Sequence, residues 1–177
     1  MSINMDEIKV LIDEEKLQAR IKEMADQIKK DYQGKQITFI CILKGSVFFT
    51  VDLAKKLDAD VRLEFIRVSS YGSDTCSSGE IKMKLDLKDS IQGKDVIVIE
   101  DIIDTGRTLK YLVEYLELKK PNSIKLCTLL NKEERRVCDV KVDYIGFDIP
   151  DEFVIGYGLD YDEKYRNLPY IGYFENV

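Results

Sequence analysis

Val96-Ile97-Val98-Ile99 runs without a polar residue and then stops at two adjacent carboxylates, Glu100-Asp101. Four consecutive β-branched residues favour a strand, and a run this apolar fits a strand buried in a sheet. A third carboxylate, Asp104, follows after Ile102-Ile103. Thr105-Gly106-Arg107-Thr108 then opens a segment in which Leu109, Leu112, Val113 and Leu116 recur at helical spacing. The reading is a buried strand that brings acidic groups to a sheet edge, a turn able to hold an anion, and a helix that stops before Pro121.

The rest of the chain repeats this grammar. Ile8 to Ile12 alternates weakly and is expected to form a short strand. Asp13 is placed to cap a helix running to about Asp31, whose apolar face is Leu17, Ile21, Met24, Ala25 and Ile28, with Gly34 ending it. Ile37 to Leu43 is an apolar run interrupted only by Thr38, as expected for a strand buried on both faces. Lys44-Gly45-Ser46 turns the chain into a helix over Val47 to Leu57. Val61 to Val68 reads as a strand, Ser69 to Glu80 as a mobile polar loop, and Ile81 to Leu87 as a half-exposed strand. Ile124 to Leu130 is a buried strand; Tyr144 to Phe147 and Phe153 to Tyr157 are short β segments. Strands alternating with helices predict an α/β fold with a mainly parallel sheet. Ligands in such sheets bind beyond the carboxyl ends of the strands. Lys44-Gly45, Glu100-Asp101 and Asn131-Lys132 should therefore converge.

Composition narrows the chemistry. A net charge of -6 argues against broad binding to nucleic acid or anionic membranes. There is no histidine, which excludes Ser-His-Asp and Cys-His catalysis. Of the cysteines Cys41, Cys76, Cys127 and Cys138, none form a Cys-x-x-Cys pair, so a zinc site is not expected. Cys41 and Cys127 lie in apolar runs and read as core. No apolar run is long enough to span a bilayer, the first residues lack a signal-peptide core, and a cytoplasmic location is expected. Any general base must be a carboxylate or, less readily, Lys, Tyr or Cys.

Each part of the central motif has a plain and a chemical reading. Gly106 permits close backbone approach. The first N–H groups of the following helix favour an anion, and the Thr105 and Thr108 hydroxyls add donors, so the turn suits a phosphate monoester or is simply a capped helix. Glu100 and Asp101 are suited to vicinal hydroxyls and to hydrated Mg²⁺, or form a solvated strand end. Asp104 is either a proton acceptor or a helix cap.

Val98 to Leu109 resembles the phosphoribosyl-pyrophosphate signature of the phosphoribosyltransferases, in particular the 6-oxopurine branch, the hypoxanthine-guanine phosphoribosyltransferases. The similarity continues in family order. Leu43-Lys44-Gly45 resembles the pyrophosphate loop, and Ser70-Tyr71-Gly72 the start of the mobile catalytic loop. Leu129-Leu130-Asn131-Lys132 resembles the strand with the purine-reading lysine. Pro150 to Tyr161 is similar to the purine-stacking hood segment, and Tyr165-Arg166-Asn167-Leu168 to the arginine motif.

This resemblance implies a type I phosphoribosyltransferase fold: a single domain over 1–177, its core at about 35–150 and a small hood from about 1–12 and 150–177. It implies transfer of the phosphoribosyl group from phosphoribosyl pyrophosphate to hypoxanthine or guanine, with Mg²⁺ as cofactor and a homo-oligomer, dimer or tetramer, as the assembly. Ribose and 5′-phosphate would meet Glu100, Asp101, Ile103, Asp104, Thr105, Gly106, Arg107, Thr108 and Leu109, with Asp104 as the catalytic carboxylate. Pyrophosphate would meet Lys44, Gly45, Ser70, Tyr71 and Arg166. Purine would meet Lys132, Phe153, Val154 and Asp160. The metal would be held by Glu100, Asp101 and Asp160. The Leu43-Lys44 peptide bond can be cis in the family.

Two other classes compete. The same fold serves in nucleotide-sensing RNA-binding regulators, which should carry a basic surface; this chain is acidic. A nucleoside-triphosphate hydrolase would need a Gly-x-x-x-x-Gly-Lys-Ser/Thr loop, and the sequence has none.

Overall fold

The computed structural model describes residues 8–71 and 80–175, with Ser70, Tyr71 and Glu80 described by backbone alone. The strands are β1 Ile8–Ile12, β2 Ile37–Ile42, β3 Val61–Tyr71, β4 Glu80–Leu85, β5 Asp95–Ile103, β6 Ser123–Asn131, β7 Tyr144–Asp148, β8 Val154–Ile155 and β9 Ile171–Phe174. The helices are α1 Glu14–Asp31, α2 Val47–Lys56 and α3 Arg107–Glu117. Asp13 caps α1 as expected, its carboxylate accepting from Lys16 N at 2.8 Å. Such a cap stabilises a helix by about 1 kcal/mol.

The main sheet has the order β4-β3-β2-β5-β6-β7. All neighbours pair in parallel except β3 and β4. The expected α/β fold with a mainly parallel sheet is therefore present. β2 is buried along its whole length because both faces are covered. Ile37 and Phe39 face one core with Leu17, Ile21 and Ile28 of α1 and Phe49 and Leu53 of α2. Ile40 and Ile42 face the other with Leu109, Leu112 and Leu116 of α3. β5 obeys the same two-residue period: Ile97 and Ile99 enter the first core, Val96 and Val98 the second. Cys41 and Cys127 are buried within these strands.

A second, three-stranded sheet, β1-β9-β8, is antiparallel throughout. β9 was not expected from the sequence. Ile171-Gly172-Tyr173-Phe174 lacks clean alternation, and its partners lie far along the chain. The β segment expected at Phe153 to Tyr157 is shorter, two residues in β8. β3 runs three residues past Val68, because β4 supplies ladder partners for Ser69, Ser70 and Tyr71. The rest of the expected loop, 72–79, lies outside the described residues.

Candidate active site

The carboxyl ends of β2, β5 and β6 meet at one edge, as topology predicts. β5 does not end at its carboxylates. Against β2 its ladder stops at Ile99, but against β6 it continues through Glu100, Ile102 and Ile103. The expected strand end is thus corrected: β6 is long enough to hold β5 for four residues after β2 has turned away. Glu100 and Asp101 therefore sit on a half-paired strand, open on the β2 side.

The two carboxylates diverge, as neighbours on a strand must. Glu100 lines a cavity of about 160 Å³ with Ile102, Ile103, Asp104, Thr105, Gly106, Thr108 and Leu109. Asp101 faces the Lys44–Gly45 turn. A methyl group built on Gly45 would overlap the Asp101 carboxylate oxygen and lie 2.7 Å from its Cγ. Only glycine admits this approach. Burial, followed by the Asp101 charge beside it, holds the Glu100 carboxyl well above the usual range. Burial also raises Asp101, against the hydrogen bond from Glu100 and the Ile102 N–H. A desolvated acidic pair of this kind favours a cation, which would reverse both shifts.

α3 begins at the cavity. Gly106, at φ 82°, is its N-cap, and the first helical bond runs from Lys110 N to Gly106 O at 2.9 Å. The N–H groups of Arg107, Thr108 and Leu109 precede that ladder, the arrangement that attracts an anion. No acidic side chain occupies the first turn. Ile103 and Leu109 turn their side chains into the core, so only their backbone can reach a ligand. The turn is fixed from outside: Thr105 O accepts from Val137 N at 3.1 Å and Cys138 N at 3.3 Å, and Asp104 O from Arg136 Nε at 3.3 Å.

Lys132 lies next to this turn. Its N–H donates to Ile103 O at 2.9 Å, and the residue is 8% exposed, unlike an ordinary strand-end lysine. Its ammonium lies 3.3 Å from Asp151 Oδ1. Phe153 is 51% exposed, with Tyr161 edge-on to its ring at 5.7 Å. Val154 is buried in β8, leaving its backbone as the group that can face a ligand.

On the other side of Gly45, residues 157–166 close over the Lys44 turn. A methyl group on Gly158, at φ 102°, would overlap Gly45 O. Arg166 donates Nη1 to Gly158 O at 2.7 Å and pairs Nη2 with Asp160 Oδ1 at 2.9 Å. Its Nε is buried without a hydrogen-bond partner. Lys44 pairs with Glu163 at 2.7 Å. The Leu43–Lys44 peptide bond is cis. The side chains of Ser70 and Tyr71 lie outside the described set.

Among the described residues no three Asp, Glu or Cys side chains gather into a metal cluster. Asp160 is engaged by Arg166, apart from the Glu100–Asp101 pair. Mg²⁺ is commonly held by one or two carboxylates plus water and substrate phosphates. Two desolvated carboxylates at an anion-binding edge fit that pattern; a cage made by protein alone does not.

Four residues at this edge were given no role of their own by the sequence, although Asp151 and Gly158 lie within the Pro150 to Tyr161 segment. Asp151 and Arg135 belong to runs of surface charge, and Glu163 and Gly158 to a loop. Only the fold brings them to Lys132, Asp104, Lys44 and Gly45.

Residues 9–162 match the family described as phosphoribosyl transferase domain. The chain is similar to the hypoxanthine-guanine phosphoribosyltransferase of Streptococcus thermophilus, at 50% identity over 164 residues, 93% of this chain and 91% of that protein. A crystal structure of a hypoxanthine-guanine phosphoribosyltransferase from Bacillus anthracis, with a HEPES molecule in the active site, superposes with a TM-score of 0.90. It is 49% identical and the match covers 93% of this chain and 97% of that one. A hypoxanthine phosphoribosyltransferase from Staphylococcus aureus gives a TM-score of 0.92 at 49% identity, covering 96% and 93%.

Proposed function

The chain belongs to the phosphoribosyl transferase family and, within it, to the hypoxanthine-guanine phosphoribosyltransferases of purine salvage, and from that premise we propose how its own residues divide the work. The 5′-phosphate of phosphoribosyl pyrophosphate sits on the turn from Asp104 to Leu109. The ribose hydroxyls meet Glu100 and Asp101. Pyrophosphate lies against Lys44, the Gly45 backbone and Arg166, with Ser70 and Tyr71 completing that side. The purine stacks on Phe153 and is read at O6 by Lys132 and at its edge by the Val154 carbonyl.

In this reading the bond from C1′ to pyrophosphate breaks as N9 of the base approaches. Positive charge develops on the ribose, and the Glu100 and Asp101 carboxylates stabilise it. Asp104 accepts or shares the proton on purine N7. Glu100 and Asp101, with Asp160 at a second position, are the residues that would hold Mg²⁺, which when bound would supply positive charge to neutralise the departing pyrophosphate. The residues from Pro150 onward, with the β1 strand, act as a hood over the purine.

One observation supports the assignment most: Lys132, 8% exposed, is tied through its backbone N–H to Ile103 O at 2.9 Å, just before the proposed phosphate turn, and its ammonium lies 3.3 Å from Asp151. An ammonium donates to the O6 of hypoxanthine and guanine and has nothing to accept from the amino group of adenine. Initial rates with hypoxanthine, guanine, xanthine and adenine at saturating phosphoribosyl pyrophosphate test it. Turnover should occur with 6-oxopurines and be at least about a hundredfold lower with adenine, the scale on which a mismatched buried hydrogen bond discriminates. Adenine used as well as hypoxanthine would contradict the assignment.

Lys132→Ala should raise KM for hypoxanthine and guanine by about ten- to a hundredfold, the worth of one charged hydrogen bond. KM for the donor should hardly change; a collapse of donor affinity would reassign Lys132. EDTA should abolish turnover, and Mg²⁺ should restore it. Activity in chelator would remove the metal from the account.

A homo-oligomer, dimer or tetramer, and a cytoplasmic location belong to the same reading. Phe48 and Val51 of α2 and Leu63 and Phe65 of β3 are exposed large apolar side chains, of the kind that subunit contacts cover.

A further inference from the structure

Lys132 and Asp104, assigned above to the purine, are joined by two side chains that have no place among the proposed substrate contacts. Lys132 Nζ lies 3.3 Å from Asp151 Oδ1, and Arg135 Nη1 lies 3.2 Å from the same oxygen. Arg135 Nε lies 2.9 Å from Asp104 Oδ1. The four groups form a chain of alternating sign: Lys132, Asp151, Arg135, Asp104. The backbone supports it. Residues Glu133–Arg135 form a short helical turn in which Arg135 N donates to Lys132 O at 3.2 Å. The next residue, Arg136, ties the same segment to Asp104 O.

Stability does not account for this arrangement. Arg135, Asp151 and Asp104 have side chains 47%, 48% and 41% exposed, and pairs so placed add little to folding. The Lys132 side chain, at 9% exposed, is different: a nearly buried ammonium needs a counter-charge. Asp104 Oδ1 is itself buried and makes no hydrogen bond of good geometry, so Arg135 is its ionic partner. Capacity remains at both ends. Asp104 keeps Oδ2, and Lys132 keeps two of its three N–H groups. A base carrying an acceptor at one position and a donor at the other can therefore be met without breaking the chain.

We propose that Arg135 is a positioning residue of the purine site, holding Asp104 directly and Lys132 through Asp151 in the arrangement that reads a 6-oxopurine. The proposal rests on the purine assignment above, and the experiment separates the two. Wild-type turnover of hypoxanthine is measured first; its absence would sink the assignment itself. In an active enzyme, Arg135→Ala should raise KM for hypoxanthine by about tenfold with KM for phosphoribosyl pyrophosphate within about twofold, the signature of lost base binding. Arg135→Lys, which keeps the charge but not the fork, should recover part of that loss, and it keeps the test open if the alanine variant fails to fold. Asp151→Asn combined with Arg135→Ala should fall short of the product of the single effects, because both act through one chain. Wild-type KM for hypoxanthine in Arg135→Ala, or an equal rise in KM for the donor, would overturn the positioning role while leaving the purine assignment standing.

Discussion

Asp104→Asn is expected to lower kcat by at least about a hundredfold, the lower end of what a positioned proton acceptor contributes. Asparagine matches aspartate in size, so the turn keeps its shape. Its amide cannot take a proton from N7. The donor should be bound nearly as well as before, because the groups proposed to hold its phosphate are backbone N–H of Arg107 to Leu109 and the hydroxyls of Thr105 and Thr108, none of which change. The turn is also held independently of the Asp104 side chain, through Thr105 O and Asp104 O. Loss of the pair with Arg135 should alter stability by no more than about 1 kcal/mol, given how exposed both partners are. Steady-state kinetics with both substrates, together with calorimetric titration of phosphoribosyl pyrophosphate, separates these effects. Unchanged turnover would remove Asp104 from proton transfer. Equal losses in turnover and donor affinity would make it a binding residue.

Gly45→Ala should be of similar or greater severity for a different reason. The added methyl group would overlap the Asp101 carboxylate. Gly158 packs against Gly45 O without room for a Cβ, which restricts how the turn can shift. The short Asp101 side chain is expected to move instead. A carboxylate displaced from the reacting centre loses a preorganised charge, an effect of about 10²- to 10³-fold where single groups have been removed from such centres. The loss should fall on kcat/KM for the donor, since Asp101 and the Gly45 backbone are both proposed to face it. Stability should change less, because the clash is with the end of one side chain. A double-mutant cycle checks the cause. In an Asp101→Ala background the methyl group has space, so adding Gly45→Ala should cost little more. Full additivity would show that Gly45 acts through something other than Asp101.

Much of this architecture is legible in the amino-acid sequence. The runs at Ile37 to Ile42, apolar but for Thr38, and at Val96 to Ile99 are buried on both faces, and burial of that kind leaves its record in nearly every position. The α1 face from Leu17 to Ile28 and its Asp13 cap are equally local signals. The carboxylates and the threonine-rich turn were legible because they follow such a strand directly. What could not be read depends on partners distant in the chain. β5 extends to Ile103 only because β6 lies beside it, and β9 exists only because β1 and β8 flank it. The burial of Lys132 needs Asp151 and the fold around it. Charged side chains such as Arg135 and Glu163 look alike in sequence whether they face solvent or each other.

The central claim is that a phosphorylated pentose lies across Glu100 and Asp101 with its phosphate on the turn that starts α3. A crystal structure with ribose 5-phosphate bound measures this directly. The phosphate should lie within hydrogen-bonding reach, about 2.7–3.2 Å, of the backbone N–H groups and threonine hydroxyls between Thr105 and Leu109, with the ring hydroxyls towards the carboxylates. Density for the sugar phosphate elsewhere on the protein, with that turn left without it, would contradict the account.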